Sequence, residues 1–358
     1  MFGARHIIPG SPEESDSFLA LVADARQLIF LFRRRRALIN LRLFGYPLKI
    51  TTGAHVSKVI IITTLHSSTT TMSSDGDIKT HRGNCHCGAF VYEAKLPEIT
   101  SYTECNCSIC RKKGYAYLIP NELHVVKGNI DNLATYTFND GGFAHRFCPS
   151  CGTAVLASSR QRTIINARTL QNLDLSTLTV KPFDGKALGP PYEPAVYKGP
   201  EPAVAEGGKI YHGSCHCGRV TLAARVDKPL EQRDITVDEE RICECNCSAC
   251  SRGAYIWIYT RMEDTVIEGE ENLDYLLFNT KLTRKGFCRH CGVHVCNAPI
   301  PLTDAEEEAL EGSARGWREK TKVLRPITLR VLDDFDFKTV ETRKLDGWNF
   351  IKPLYVNP

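Results

Sequence analysis

Sixteen of the 358 residues are cysteine, and all of them lie between Cys85 and Cys296. They fall into C-x-C, C-x2-C and C-x-C-x2-C clusters. Two thiols one or two residues apart rarely bond to each other, but their thiolates converge readily on one metal ion. Zinc accepts four thiolates in a closed tetrahedral site, whereas three protein ligands leave a fourth position open for a small molecule. The clusters occur twice in the same order. Cys85-x-Cys87 is followed after 17 residues by Cys105-x-Cys107-x2-Cys110 and after 37 more by Cys148-x2-Cys151. Cys215-x-Cys217 is followed after 27 residues by Cys245-x-Cys247-x2-Cys250 and after 37 more by Cys288-x2-Cys291. In each copy the two pairs can close one four-ligand site, and the triplet supplies three ligands with a vacancy.

Stepping outward from the cysteines, the elements that must hold them read as short strands. Residues 89–95, 134–138, 163–167 and 219–226 are β-branched, apolar or alternating. Every cysteine pair is followed by glycine: Gly88, Gly152, Gly218 and Gly292. A positive φ there turns the chain back so that N–H groups point at the sulfurs. The repeat also extends past the cysteines, with Ile165-Asn166-Ala167-Arg168 matching Ile327-Thr328-Leu329-Arg330, and Asp184-Gly185 matching Asp346-Gly347. The second copy carries two insertions, about ten residues near 227–240 and about twenty-two over 298–321. The second insertion contains Thr303-x-x-Glu306, a capping box predicting an exposed acidic helix. Six prolines between 181 and 208 suit a stiff surface connector.

The expected organisation is therefore mainly β. A first zinc domain with its connector spans 80–200, and a second, with a helical insertion near 298–321, spans 201–358. Residues 1–79 read as a flexible extension or an artefact of the gene model, with Met72 as an alternative start. Within it, residues 18–32 are apolar but too short and too charged to span a bilayer, and Arg33–Arg36 form a basic cluster. The formal net charge is +4, but residues 1–71 carry +5 and the remainder −1. A neutral body argues against nucleic acid as a partner. Clustered cysteines without a clean signal peptide argue for a reducing, cytoplasmic or nuclear compartment and against secretion.

Gly83-Asn84-Cys85-His86-Cys87-Gly88, Cys105-Asn106-Cys107-Ser108-Ile109-Cys110-Arg111-Lys112-Lys113, Tyr136-Thr137-Phe138-Asn139 and Phe147-Cys148-x2-Cys151-Gly152 together resemble the glutathione-dependent formaldehyde-activating family, which includes centromere protein V. The second copy repeats these motifs as Gly213-Ser214-Cys215-His216-Cys217-Gly218, Cys245-Asn246-Cys247-Ser248-Ala249-Cys250 and Phe287-Cys288-x2-Cys291-Gly292. The resemblance implies a β-rich fold of the Mss-four type in each copy. It implies a structural zinc on Cys85, Cys87, Cys148 and Cys151, another on Cys215, Cys217, Cys288 and Cys291, and catalytic open zincs on Cys105, Cys107 and Cys110 and on Cys245, Cys247 and Cys250. That is two ions per domain and four per chain. The implied activity is carbon–sulfur lyase chemistry, joining or carrying glutathione or a similar thiol and formaldehyde as the S-hydroxymethyl adduct. The alternative is a non-catalytic interaction module of the centromere protein V type, which would admit a chromatin or cytoskeletal partner.

The chemistry narrows further on charge. Zinc with three thiolates is a formal anion and a weak Lewis acid, which disfavours a hydrolase. No H-x-E partner accompanies the cysteine pairs, which excludes a zinc deaminase. Arg111, Lys112 and Lys113 are expected to meet glutathione carboxylates; because Ser251, Arg252 and Gly253 replace them in the second copy, the first is favoured if only one copy is active. His86 and His216 are expected to turn away from the metal, His294 to be no ligand, and Cys243 and Cys296 to be buried thiols. Tyr115 and Tyr117, with their counterparts Tyr255 and Trp257, are expected to pack in the core or line a pocket.

Overall fold

The computed structural model describes residues 38–43, 46–51, 77–139, 142–204, 206–333 and 335–358. Residues Met1–Ser74 and Asp75–Pro358 form two separate units. In the first, β1 (Leu38–Leu43) and β2 (Tyr46–Thr51) pair as an antiparallel hairpin. The 18–32 stretch and Arg33–Arg36 lie outside the described residues.

The second unit is two copies of one β design. In the first copy, β3 (Lys79–Asn84), β4 (Val91–Leu96), β5 (Ser101–Cys105), α1 (Ser108–Lys113), β6 (Tyr117–Leu118), β7 (Glu122–Lys127), β8 (Ala134–Tyr136), β9 (Ala144–Phe147), β10 (Ala154–Ser158), β11 (Thr163–Asn166) and β12 (Thr179–Phe183) follow in order. They form a three-stranded sheet β3-β4-β7 and a seven-stranded sheet β12-β5-β6-β11-β10-β9-β8. In the second copy, β13 (Lys209–Ser214), β14 (Thr221–Val226), β15 (Ile242–Cys245), α2 (Ser248–Gly253), β16 (Trp257–Ile258), β17 (Thr265–Glu268), β18 (Leu273–Phe278), β19 (Thr283–Cys288), β20 (His294–Pro299), β21 (Ile327–Thr328) and β22 (Arg343–Leu345) give sheets β13-β14-β17 and β22-β15-β16-β21-β20-β19-β18. Strand for strand the orders are the same, as the cysteine repeat predicts.

Two features of this topology place the cysteines. The last strand of each copy runs parallel to the strand ending in the triplet's first cysteine, pairing Phe183 with Cys105 and Leu345 with Cys245. The next two residues, Asp184-Gly185 and Asp346-Gly347, are thereby delivered to the triplet. The C-x-C turns, meanwhile, follow strands of the small sheets, and the C-x2-C turns join β9 to β10 and β19 to β20 in the large ones. A centre built from both turns pins the two sheets of its copy together.

The second copy's insertion behaves as its capping box requires. Thr303 caps α3 (Asp304–Glu308) with both reciprocal bonds to Glu306, and α4 (Gly312–Thr321) follows. Arg318 of α4 is buried and bonds Glu307 through Nε at 2.9 Å, which folds the insertion back on itself.

The two copies share a core. The largest apolar cluster joins Val220, Leu222, Ile258 and Val295 of the second copy to Ile109, Cys110, Tyr115 and Tyr117 of the first. Among the described residues no helix is long and apolar enough to cross a membrane.

Candidate metal centres

The four-cysteine groups are assembled first by backbone. Gly88, Gly152, Gly218 and Gly292 have φ of 71°, 70°, 75° and 68°, as the turn-back requires. The N–H of Phe90 points at Cys85 Sγ and that of Val220 at Cys215 Sγ, each at 3.3 Å. The sulfurs of Cys85, Cys87, Cys148 and Cys151 lie within 4.8 Å of one another, as do those of Cys215, Cys217, Cys288 and Cys291. Cys85 and Cys87, and Cys87 and Cys148, are 3.6 Å apart at sulfur. That is too long for a disulfide and close to the edge, about 3.8 Å, of a tetrahedron whose corners stand about 2.3 Å from its centre.

Electrostatics point the same way. Sulfur neighbours, Cys148 first, hold the Cys87 thiol far below its ordinary range, while contact with Cys148 pushes Cys151 well above it. Cys217 and Cys215 divide likewise. Four thiols this close cannot all ionise against one another, and a divalent cation removes that conflict. Both groups therefore fit zinc.

The triplets are built differently. Cys105 ends β5, Cys107 caps α1 and Cys110 sits in its first turn, with all three sulfurs within 4.8 Å. Cys245, Cys247 and Cys250 repeat this on β15 and α2. Among the described residues no fourth histidine, cysteine or carboxylate joins either group. Cys107 draws the Cys105 thiol down to about 3, with Cys110 and the Gly185 N–H assisting. Three sulfurs gathered with no fourth protein ligand among the described residues suit zinc with an open fourth position.

An asparagine inside each triplet fastens the cover over it. Asn106 donates to Asp184 Oδ1 at 2.8 Å and accepts from the Lys186 N–H at 2.8 Å; Asn246 treats Asp346 and Trp348 the same way. A Cβ on Gly185 would stand 2.3 Å from Cys105 Sγ, and one on Gly347 2.4 Å from Cys245 Sγ, so only glycine fits. Sequence reasoning assigned Asn106, Asn246 and these Asp-Gly pairs no role, although the pairs recur in both copies; the contacts that hold them there span 78 residues in the first copy and 100 in the second.

Behind each triplet stands a ring stack. Tyr117 is 3.0 Å from Cys110 Sγ through its hydroxyl and stacks on Tyr115 at 4.8 Å. Trp257 donates to Cys250 Sγ at 3.4 Å and stacks on Tyr255 at 4.3 Å. All four rings are buried, so they pack the core and back the triplets at once. Cys243 and Cys296 are fully buried, and burial pushes the Cys296 thiol up to about 12.

His86 and His216 join none of the sulfur groups, as expected, but each reaches the other copy. His216 Nε2 is 2.9 Å from the hydroxyl of Ser108, inside the first triplet, and Nδ1 is 2.7 Å from the Tyr136 hydroxyl. Tyr192, in the proline-rich connector, stacks on the same imidazole at 4.4 Å and bonds its carbonyl. His86 lies against Phe278 of the second copy and under Tyr355, which bonds its carbonyl at 2.7 Å. Its Nδ1 is buried without a hydrogen-bond partner among the described residues. Leu276 occupies the place that Tyr136 holds in the first copy.

The basic run after the first triplet does not stand where glutathione carboxylates could meet it. Arg111 bonds the Phe335 carbonyl and lies over the Phe337 ring. Lys112 is buried and paired with Asp333 at 2.7 Å, and Lys113 is buried over the Phe147 ring at 4.4 Å. All three lie in the seam between the copies. The spacing put them beside the triplet correctly, but α1 turns them toward the second copy.

Residues 80–182, which lie in the first copy, match the family described as glutathione-dependent formaldehyde-activating enzyme. A solved protein from Rhodobacter sphaeroides aligns at 20% identity over 37% of this chain and 98% of its own, with a TM-score of 0.26, too slight a likeness to bear on the fold.

Proposed function

We propose that the chain is a zinc protein that binds glutathione, or a closely similar thiol, at the triplet of the first copy and joins it reversibly to formaldehyde. The observation that carries this reading is the pairing of a closed four-sulfur group with a three-sulfur group in a stretch that matches a formaldehyde-activating family. Cys105, Cys107 and Cys110 would hold a zinc ion, which supplies a place where a thiol is kept ionised at neutral pH. Cys85, Cys87, Cys148 and Cys151, with their counterparts Cys215, Cys217, Cys288 and Cys291, would hold structural ions.

The residues of the chain then have separate tasks. The thiolate sulfur of the substrate attacks the carbonyl carbon of formaldehyde, a C–S bond forms, the C=O π electrons move to oxygen, and that oxygen takes a proton from solvent. Ser108, fixed by His216 at the start of α1, presents a hydroxyl beside the triplet. Gly185 and the Asn106 to Asp184 bond cover the triplet on one side and restrict the approach of reactants. Arg111, Lys112 and Lys113 are left out of substrate binding because Arg111 and Lys112 are bonded across the seam and Lys113 is buried in it.

The first copy is favoured over the second on exposure. Cys105 and Cys107 are half-buried, whereas Cys247 is 2% exposed within an apolar cluster containing Tyr255 and Trp257. With all sixteen cysteines free, a reducing cytoplasmic or nuclear setting suits the protein.

Exchange NMR of glutathione, formaldehyde and their adduct at equilibrium tests the activity. The chain is expected to speed the interconversion in proportion to its concentration. An unchanged exchange rate with fully zinc-loaded protein would contradict it and favour the interaction module.

A further inference from the structure

Lys113 is 2% exposed, and its Nζ has no hydrogen-bond partner among the described residues. A buried ammonium ion without hydrogen bonds is costly unless another charge compensates it. The nearest ring is Phe147, but the atom also rests on the second copy: a Cβ on Gly292 would stand 2.8 Å from it. Gly292 is the turn glycine directly after Cys291.

The neighbouring residues repeat this crossing in both directions. Lys112 Nζ donates to the carbonyl of Ser214 at 2.8 Å, the residue before Cys215. Its counterpart Arg252 donates through Nε to the carbonyl of Asn84 at 3.1 Å, the residue before Cys85. Lys113 has only Gly253 as a counterpart. Opposite the first copy's turn glycine, Gly152, stands instead the imidazole of His294, whose Cε1 would be 2.7 Å from an added Cβ. Burial lowers the His294 pKa to about 3, which keeps the ring neutral. Among the described residues the second copy's four-sulfur group thus faces Lys113 and a Lys112 already paired with Asp333 at 2.7 Å, and the first copy's faces Arg252.

Zinc with four thiolates carries a formal double negative charge. Charged or hydrogen-bonding groups just outside the ligand shell set how firmly such an ion is held. We propose that Lys113 is the counter-ion of the centre formed by Cys215, Cys217, Cys288 and Cys291, while the charge of Lys112 is met by Asp333, and that Arg252 serves the centre formed by Cys85, Cys87, Cys148 and Cys151. Retention of each structural zinc therefore depends on the helix that follows the other copy's triplet. The inference rests on the reading that the four-sulfur groups hold zinc, and it is independent of what the triplets do.

The test is site-resolved. Zinc-loaded full chain is mixed with excess chelator, freed thiolates are pulse-alkylated, and peptide mass spectrometry separates the Cys288/Cys291 peptide from the Cys148/Cys151 peptide. In Lys113→Met, alkylation of the second copy's group is expected to accelerate about tenfold, with the first copy's group within about twofold of wild type. Lys113→Arg, which keeps the charge, is expected to stay near wild type. Arg252→Met is expected to accelerate the first copy's group selectively. Equal acceleration of both groups in Lys113→Met would show general loosening and overturn the inference, as would protected groups indifferent to the substitution. Wild-type groups that alkylate at once would remove the zinc along with the counter-ion.

Discussion

The two triplets share a scaffold and differ in what surrounds it. Both sit at a strand end and a helix cap, both are covered by an Asp-Gly turn, and both are approached by the other copy's histidine. Around the first stand Tyr136, His145 with its ring 5.5 Å from that of Tyr115, and a histidine held at both ring nitrogens. Around the second stand Leu276, a buried Lys285 over the Trp257 ring at 4.6 Å, and a histidine whose Nδ1 has no partner among the described residues. The sulfur geometry is therefore general to the fold, whereas among the described residues a histidine bonded to the serine inside the triplet is seen in the first copy and not in the second. On the proposed reading, duplication lets one triplet keep the chemistry while its twin serves packing.

The comparison is most directly broken by removing one ligand from each copy. Cys107→Ser should slow adduct exchange about thirtyfold, the factor by which free thiol at neutral pH lacks thiolate, while Cys247→Ser should leave it nearly unchanged. Exchange NMR on the two variants decides between one working triplet and two. Next in size, Gly185→Ala forces a methyl against Cys105 and should cost about 1–3 kcal/mol together with most of the activity, whereas Gly347→Ala should show the same loss in thermal unfolding with activity kept.

A pH test separates the histidines from the metal. His294 is fully buried and its pKa is lowered by burial to about 3, against 6.5 when free. The unfolded chain takes up a proton here first, so stability is complete above pH 6.5 and falls as the pH drops toward 3. The loss approaches about 1.4 kcal/mol per pH unit in that window. His294→Ala, which copies Ala154 of the first domain, should flatten the fall in Tm between pH 6.5 and 5; an unchanged slope would place the acid sensitivity elsewhere. Smallest of all, Tyr136→Phe should cost about 1 kcal/mol by freeing His216 Nδ1, and Leu276→Tyr should offset part of that by giving His86 a partner.

Much of the site was legible because cysteine spacing is short-range. The cysteine pairs and triplets, the positive-φ glycines and the capped insertion at Thr303 all follow from residues within a turn of one another, and the four-sulfur groups follow from joining two such pairs 61 and 71 residues apart. The two sheets of each copy followed less directly, from a repeat detected at cysteines and carried over to the strands between them. What the sequence did not reveal is the crossing of the two copies. Arg111, Lys112 and Lys113 read as a basic patch beside a ligand site, and nothing local says that α1 faces Ser214 and Phe335 more than a hundred residues away. His216 and Tyr136 likewise meet only because the copies pack with their triplets toward each other's C-x-C turns. Tyr192 and Tyr355 were within reach of the same logic, since each lies in the segment that leaves its copy, but their partners depend on the docking.

Zinc K-edge X-ray absorption on the loaded chain tests the central claim, two closed and two open centres. The account predicts four zinc ions and an average of about 3.5 sulfur neighbours per ion, rising when glutathione is added and failing to rise in Cys107→Ser. Two ions with four sulfurs each, unmoved by glutathione, would contradict it.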